Sequence, residues 1–365
     1  MSGVSQERAI LVGLDEDLDE LAELVQSAGG SVAGRVVQRR ARPVAATYIG
    51  KGKAAEVRDL VWETGADLVV VDDELSPAQA RNLENLVEAR VVDRTQLILD
   101  IFAQRARTKE GKLQVELAQL NYQLPRLAGA GTHLSRLGGG IGTRGPGETK
   151  LETDRRRIRR RIAEVRAELE DVRRTRAIQR AGRRRAGMPV VALVGYTNAG
   201  KSTLMNALTK AGVAAEDRLF ATLDPTIRRV ELTPGSEVLL ADTVGFVRKL
   251  PHQLVAAFRA TLEEVQEADV LLHVVDAAQA GADLRIEAVK GVLDELGVLG
   301  KPMVTAFNKL DKADDPDAVR AWAAAVPRGV AISARSGAGL KQLREVLART
   351  AGEMVAFASD GRMGR

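Results

Sequence analysis

The sequence predicts an α/β protein in three parts: an N-terminal parallel α/β domain, an antiparallel helical hairpin, and a doubly wound sheet built on a phosphate-binding loop. Three observations predict it. Apolar runs alternate with amphipathic stretches from Ala9 to Ala106, and again from Met188 to Ala358. Between them, apolar residues step by fours and threes, as in a helical seam. An octet fitting GxxxxGK[ST] then stands between an apolar run and a helical one. The expected parts are residues 1–106, 107–187 (with a glycine-rich tip loop at 128–147 and a basic helix), 188–358, and a short tail at 359–365. A chain of 365 residues has length for two or three cores.

Composition removes several classes. The chain has no cysteine, which excludes disulfides, thiolate metal sites and cysteine nucleophiles. No run of 18 apolar residues predicts a membrane span, and Met1 to Arg8 lacks a secretory pattern, so a cytoplasmic protein is expected. Charge is unevenly placed. Leu151 to Gly187 holds 14 Arg against 6 Asp or Glu, a local excess of +8, which leaves −3 for the rest of a chain whose total is +5. A basic segment on a mildly acidic protein suits a phosphate-rich partner. Aromatic content of 3% argues against base stacking and for backbone and shape recognition of structured RNA.

In the first domain, Ala9 to Leu14 reads as a strand, and Leu18, Leu21, Leu24 and Val25 line a helix stopped by Gly29-Gly30. Ser31–Gln38 and Ala45–Ile49 read as strand material, followed by a helix over 53–63. Asp67 to Asp72 is a buried strand, and Ser76-Pro77 opens a helix as N-cap and first residue. Val91 to Asp93 and a helix around Leu97 to Phe102 complete the unit.

In the hairpin, Leu113, Leu117, Leu120, Leu124 and Leu127 form one seam, and Ile158, Ile162, Val165, Leu169 and Val172 the other. Pro125 is expected to kink or end the first helix early. The intervening loop holds eight glycines in twenty residues, with His133, Arg136 and Arg144, which fits a tip that orders on a partner. Gly142 to Thr149 nearly repeats the phosphate-loop pattern, but Glu148 stands where lysine is needed and would repel phosphate. On the second helix, Arg155, Arg156, Arg157, Arg159, Arg160 and Arg161 are candidate RNA contacts, together with Arg136 and Arg144. The alternative is a solvated face partly neutralised by Glu164, Glu168 and Asp171.

In the larger domain, strands are expected at 190–194, 229–232, 237–242, 269–276, 303–308 and 330–333, and helices near 201–209, 252–267, 282–296, 317–325 and 340–355. The octet is Gly195-Tyr196-Thr197-Asn198-Ala199-Gly200-Lys201-Ser202, followed by Thr203. Its amides would cradle phosphates, Lys201 would reach the β- and γ-phosphates, and Ser202 would ligate Mg²⁺. Asp242-Thr243-Val244-Gly245 fits DxxG, whose carboxylate holds Mg²⁺ through water and whose glycine N–H senses the γ-phosphate. Asn308-Lys309-Leu310-Asp311 fits NKxD, and its aspartate can pair with guanine N1–H and the exocyclic amine, which adenine cannot offer. Ser333-Ala334-Arg335 would support the base. Phe220-Ala221-Thr222-Leu223-Asp224-Pro225-Thr226 supplies switch threonines; Thr222 and Thr226 both qualify as metal ligands, and a resemblance to the Phe-Thr-Thr-Leu stretch of Obg-type GTPases favours Thr222. In this order, each at a strand end, the motifs predict a Ras-like P-loop GTPase domain that takes GTP, releases GDP and uses Mg²⁺. Lys201, Thr222, Gly245 and Asn198 are the expected catalytic residues. Phe246 stands where a water-orienting glutamine is usual, so hydrolysis should be slow without a partner. Asn198 is placed where several GTPases lacking that glutamine bind K⁺; the alternative is an asparagine that only braces the loop.

The chain as a whole resembles the HflX family of GTPases. Tyr48-Ile49-Gly50-Lys51-Gly52-Lys53, Asp93-Arg94-Thr95, Gln119-Leu120-Asn121-Tyr122 and Gly138 to Glu148 are similar to its elements outside the nucleotide domain. The phosphate loop, Phe220 to Asp224 and Asp242 to Phe246 are similar to those within it, with Ile227 departing from a usual second threonine. The resemblance implies binding to the large (50S) ribosomal subunit, through rRNA and ribosomal proteins, and GTP-linked splitting of stalled or idle ribosomes, the hairpin approaching the peptidyl transferase region; a monomer in solution is the separate expectation, with the oligomeric state open. The resemblance also implies that the C-terminal domain of some members is absent or reduced, and that the N-terminal domain binds ATP, although no Walker motif stands there. The rival readings are a signalling switch acting on a protein partner, and an RNA-remodelling factor regulated by its nucleotide domain.

Overall fold

The computed structural model describes residues 6–127, 146–185, 187–209, 219–220, 223, 226–249, 259–279 and 281–360. The chain divides into two compact units within the helix Pro146–Arg185, one ending at Val172 and one starting at Arg173.

The N-terminal unit carries a parallel sheet ordered β2-β1-β3-β4, from β1 (Arg8–Gly13), β2 (Ser31–Val37), β3 (Leu68–Val71) and β4 (Arg90–Asp93). Parallel neighbours require crossovers, and the helices Asp19–Ser27, Lys51–Thr64 and Pro77–Val87 supply them. All four residues of β3 are buried, as a strand covered on both faces must be. One core joins Ile10, Val12, Val69 and Val71 to Val57, Val61, Leu83 and Val87. Ser76 and Gln79 form a reciprocal capping box ahead of Pro77, a device contributing about 1 kcal/mol.

Ala45–Ile49 is not a strand. It is a turn closed by an antiparallel bridge, with Val44 and Tyr48 exchanging N–H···O bonds of 2.8 Å. Tyr48 takes a left-handed backbone (φ 66°) while its hydroxyl donates to Asp73 Oδ2 at 2.5 Å. Thr47, Tyr48 and Ile49 are buried, whereas Ala45 and Ala46 are exposed. A tertiary anchor, rather than a ladder, provides that burial.

The helix Lys109–Leu127 packs Leu113, Leu117 and Leu120 against Val165 and Leu169. Arg161 grips Glu116 at 2.6 and 2.9 Å while Lys109 faces Glu168 at 3.7 Å, so the two helices run antiparallel. Pro125 does not end the first helix, which continues to Leu127. In the last turn a missing N–H removes a single ladder bond. Arg126 holds that turn: its guanidinium stacks 3.3 Å over the Tyr122 ring and donates to Asp93 Oδ2 at 2.8 Å and the Leu75 carbonyl at 2.7 Å. Most of the glycine-rich tip lies outside the described residues; the second helix is already formed at Pro146.

The second unit holds six strands ordered β10-β9-β8-β5-β7-β6: β5 (Val190–Gly195), β6 (Thr226–Thr233), β7 (Ser236–Asp242), β8 (Val270–Asp276), β9 (Met303–Asn308) and β10 (Gly329–Ala331). Only β6 is antiparallel to its neighbour. It outgrows the expected 229–232 because a tight turn pairs it with β7 along its length. The chain builds outward on one side of β5 and then on the other. Open α/β sheets bind ligands beyond the strand ends at such a reversal. Val191, Leu193, Leu240, Leu272 and Val304 form the core with Leu204, Leu343 and Leu347. Among the described residues, no helix is long and apolar enough to cross a membrane.

Candidate active site

β5 is buried along Val191–Gly195 and delivers the octet to the sheet's reversal point, where the helix Lys201–Thr209 begins. The loop passes through the left-handed region at Asn198 (φ 60°) and Gly200 (φ 94°), turns of the kind that gather amides into an anion nest. A Cβ on Gly200 would lie 2.4 Å from Asn308 Nδ2, so that side chain reaches the loop only because residue 200 has none.

Asn308 acts as a staple. Its Nδ2 donates to the Ala199 carbonyl at 2.8 Å and its Oδ1 accepts from the Ala334 N–H at 2.9 Å. One buried amide thereby joins the phosphate loop, the NKxD stretch and the Ser333-Ala334-Arg335 turn. Asp311 is exposed, and its Oδ1 accepts from Ser333 Oγ at 2.5 Å, a bond that lowers its pKa. Ser333 Oγ itself accepts the Ser336 N–H at 3.0 Å, which directs its proton towards Asp311. Lys309 pairs with Asp276 at 2.7 Å, Leu310 is buried, and Arg335 is exposed.

Lys201 is buried, and its Nζ donates to the carbonyls of Gly195 (3.0 Å) and Tyr196 (2.8 Å). Burial pushes its ammonium down to about 8, against the pull of Asp242. An anionic ligand beside it would restore the charged form. Ser202 Oγ donates to Asp242 Oδ2 at 3.0 Å, at the end of β7. A hydroxyl and a carboxylate meeting beside a phosphate loop are the hard oxygen donors that Mg²⁺ takes together with phosphate and water, so the residues fit that ion.

Other expected site residues are committed within the protein. Thr243 Oγ1 donates to the Leu193 carbonyl at 2.5 Å, and the Tyr196 hydroxyl accepts from the Arg248 N–H at 2.7 Å. Val244 is buried. Phe246 is buried, its N–H donating to the Gly195 carbonyl at 3.1 Å and its carbonyl accepting from the Thr197 N–H at 2.7 Å. These two bonds fasten the DxxG turn to the phosphate loop. Asn198 is exposed, and its side chain takes no hydrogen bond among the described residues. Phe220 and Leu223 are buried, while Ala221, Thr222 and Asp224 lie outside the described residues; Thr226 begins β6 opposite Asp242. Arg136 and Arg144 also lie outside them. Of the other arginines, Arg156, Arg157, Arg159 and Arg160 are exposed, Arg160 reaching Glu164 at 3.1 Å, whereas Arg161 serves the hairpin through Glu116.

His273 lies buried in β8, where desolvation holds its pKa down to about 4 and keeps it a neutral packed side chain. His133 and His252 lie outside the described residues. Among those described, no group of three His, Cys, Asp or Glu could hold a metal. Asn308 as a staple is absent from the sequence reading. Its two bonds span 109 and 26 residues, and no local pattern announces them.

Three family models match in succession: a GTP-binding GTPase N-terminal region over residues 15–103, a GTP-binding GTPase middle region over 105–183, and a 50S ribosome-binding GTPase over 190–309. The chain is 54% identical to the GTPase HflX of Lacrimispora saccharolytica, covering 94% of this chain and 82% of that protein. It is 52% identical to the GTPase HflX of Escherichia coli K12, covering 93% and 80%. The crystal structure of SsGBP with GDP is 26% identical, with a TM-score of 0.54 over 96% of this chain and all of the other. The chain belongs to the HflX family of GTPases.

Proposed function

We propose that this GTPase binds the large ribosomal subunit and couples GTP binding and hydrolysis to the splitting or rescue of stalled or idle ribosomes. The observation that carries the reading is the row Arg156, Arg157, Arg159 and Arg160, exposed on a helix that also frames the tip loop. Exposed arginines can track rRNA phosphates without reading sequence. The match of residues 190–309 to a 50S ribosome-binding GTPase model supports the same partner. The protein acts in the cytoplasm.

Cosedimentation with 50S subunits tests this. Binding is expected to be strongest with a non-hydrolysable GTP analogue, weaker with GDP, and to weaken steeply with added salt. Replacing Arg156, Arg157 and Arg159 together by glutamate should lower 50S affinity at least tenfold and leave intrinsic GTP hydrolysis unchanged. Absence of binding in both nucleotide states would leave the signalling switch as the better reading.

At the nucleotide, the octet amides and Lys201 hold the β- and γ-phosphates; Ser202 and Thr222 would ligate Mg²⁺ and Asp242 would hold it through water, and the ion would neutralise charge on the phosphates. Asp311 selects guanine, and Asn308 braces the base-binding turn against the phosphate loop. Asn198 is exposed, which suits an amide that would contact K⁺ beside the phosphates. Turnover is therefore expected to be several-fold higher in KCl than in NaCl, and Asn198→Ala should erase the difference. Equal rates in the two salts sink this part of the reading.

A further inference from the structure

Phe246 leaves hydrolysis without the side chain that would orient the attacking water, and its own backbone is fastened to Gly195 and Thr197. Several hydroxyls stand nearby, but most are committed: Ser202 to Asp242, Thr243 to Leu193, and Tyr196 to the Arg248 amide. Thr197 differs. The residue is 6% exposed, and its Oγ1 is buried with no hydrogen-bond partner among the described residues.

Its position is specific. A Cβ built on Gly245 would lie 2.7 Å from Thr197 Cγ2, 2.9 Å from Thr197 Cα and 2.9 Å from Lys201 Nζ. Thr197, the DxxG glycine and the phosphate-binding ammonium therefore converge on one point, packed too closely for any side chain at residue 245. Lys201 marks where the β- and γ-phosphates lie, and the Gly245 N–H is the group that reads the γ-phosphate. A buried hydroxyl left without a partner calls for an explanation, and a role in catalysis is one that fits its place beside Gly245 and Lys201.

We propose that the Thr197 hydroxyl is the catalytic group that orients the attacking water on the γ-phosphate, in place of the side chain Phe246 cannot supply. The inference rests on the assignment of Gly195–Ser202 and Asp242–Gly245 as the phosphate and γ-sensing elements. Thr197 Oγ1 accepts a hydrogen bond from the water and donates its own to a γ-phosphate oxygen. The water oxygen forms the new P–O bond as the bond to the β–γ bridging oxygen breaks. That electron pair leaves with GDP, and the water's proton passes to a γ-phosphate oxygen. Thr197 is neither ionised nor consumed.

Two near-isosteric variants separate chemistry from packing. Thr197→Val keeps the shape and the methyl that packs on Gly245, but removes the hydroxyl. Thr197→Ser keeps the hydroxyl and removes the methyl. Single-turnover hydrolysis of GTP should fall roughly tenfold to a hundredfold in Thr197→Val, the loss of one charge-assisted hydrogen bond. Thr197→Ser should stay within about threefold of the parent. Affinity for fluorescent GDP, which lacks the γ-phosphate, should change little in either variant, and affinity for a non-hydrolysable GTP analogue should fall less than turnover does in Thr197→Val, a split between turnover and binding that a packing role does not produce. The proposal is overturned if Thr197→Val hydrolyses GTP at the parent rate, or if Thr197→Ser falls as far as Thr197→Val. Should Thr197→Val lose its fold by circular dichroism, Thr197→Ala against Thr197→Ser decides in the same way. If Lys201→Ala leaves guanine-nucleotide affinity intact, the assignment of the phosphate loop fails first, and separately from the Thr197 result.

Discussion

Replacing Asp311 with asparagine is expected to weaken guanine-nucleotide binding by a factor of about 10³ and to make xanthine nucleotides the better ligands. The direction follows from donors and acceptors. Guanine offers two donors, N1–H and the exocyclic amine, and a carboxylate accepts both. Ser333 fixes how the substituted side chain would sit: its proton is directed at Oδ1 of residue 311 at 2.5 Å, because its own oxygen already accepts the Ser336 N–H. Asparagine would keep its carbonyl on Ser333 and turn its NH₂ towards the base. A donor then faces the guanine amine, and two charge-assisted bonds are lost, together about 4 kcal/mol. Xanthine carries a carbonyl in place of that amine and accepts from the amide. Competition of GDP and XDP against a fluorescent nucleotide measures the exchange. Unchanged GDP affinity in Asp311→Asn would show that the base is read elsewhere.

What could be read from the sequence follows from how local each feature is. The sheet of the second unit was legible because Val190–Gly195, Ser236–Asp242 and Met303–Asn308 are short apolar runs ending in motif residues. The N-terminal sheet was legible for the same reason, and its capping box at Ser76 and Gln79 spans only four residues. Ala45–Ile49 departs from the expected strand because the buried end of a turn, Thr47 to Ile49, draws on the same residue types as a strand; the bridge between Val44 and Tyr48 and the hydroxyl on Asp73 separate them. Pro125 does not end its helix because the cost of a proline depends on how many ladder bonds remain beyond it, and in a last turn anchored by Arg126 few do. The candidate site divides along the same line. Its motifs are contiguous, but the Asn308 staple and the fastening of Phe246 to the phosphate loop join segments separated by 109 and roughly 50 residues. A pattern reader sees the parts of a site and misses the bonds that position them.

The N-terminal unit carries the largest expected loss of stability from a single substitution. Arg94 is 2% exposed, with Nη1 on Asp72 Oδ1 at 2.7 Å and Nη2 on Glu20, in the first turn of the helix Arg94–Arg105. A cation at a helix N-terminus opposes the helix dipole, so the two carboxylates, not the helix, account for its placement. Asp72 directly follows β3 and is itself 4% exposed. Arg94→Met conserves most of the volume but leaves that carboxylate buried without this cation. Removing one partner of a buried pair costs about 3–5 kcal/mol, a large share of the 5–15 kcal/mol that holds a domain folded. If charge is the cause, adding Asp72→Asn and Glu20→Gln to Arg94→Met should recover much of the loss, because the buried charges leave together. Because the chain has two units, a global melt would mix them. Hydrogen exchange at the β1 and β3 amides isolates the first. Those amides should exchange roughly a hundredfold faster or more in Arg94→Met and regain most of their protection in the triple variant. Equal protection loss in both variants would mean that Arg94 acts through its packed stem rather than its charge.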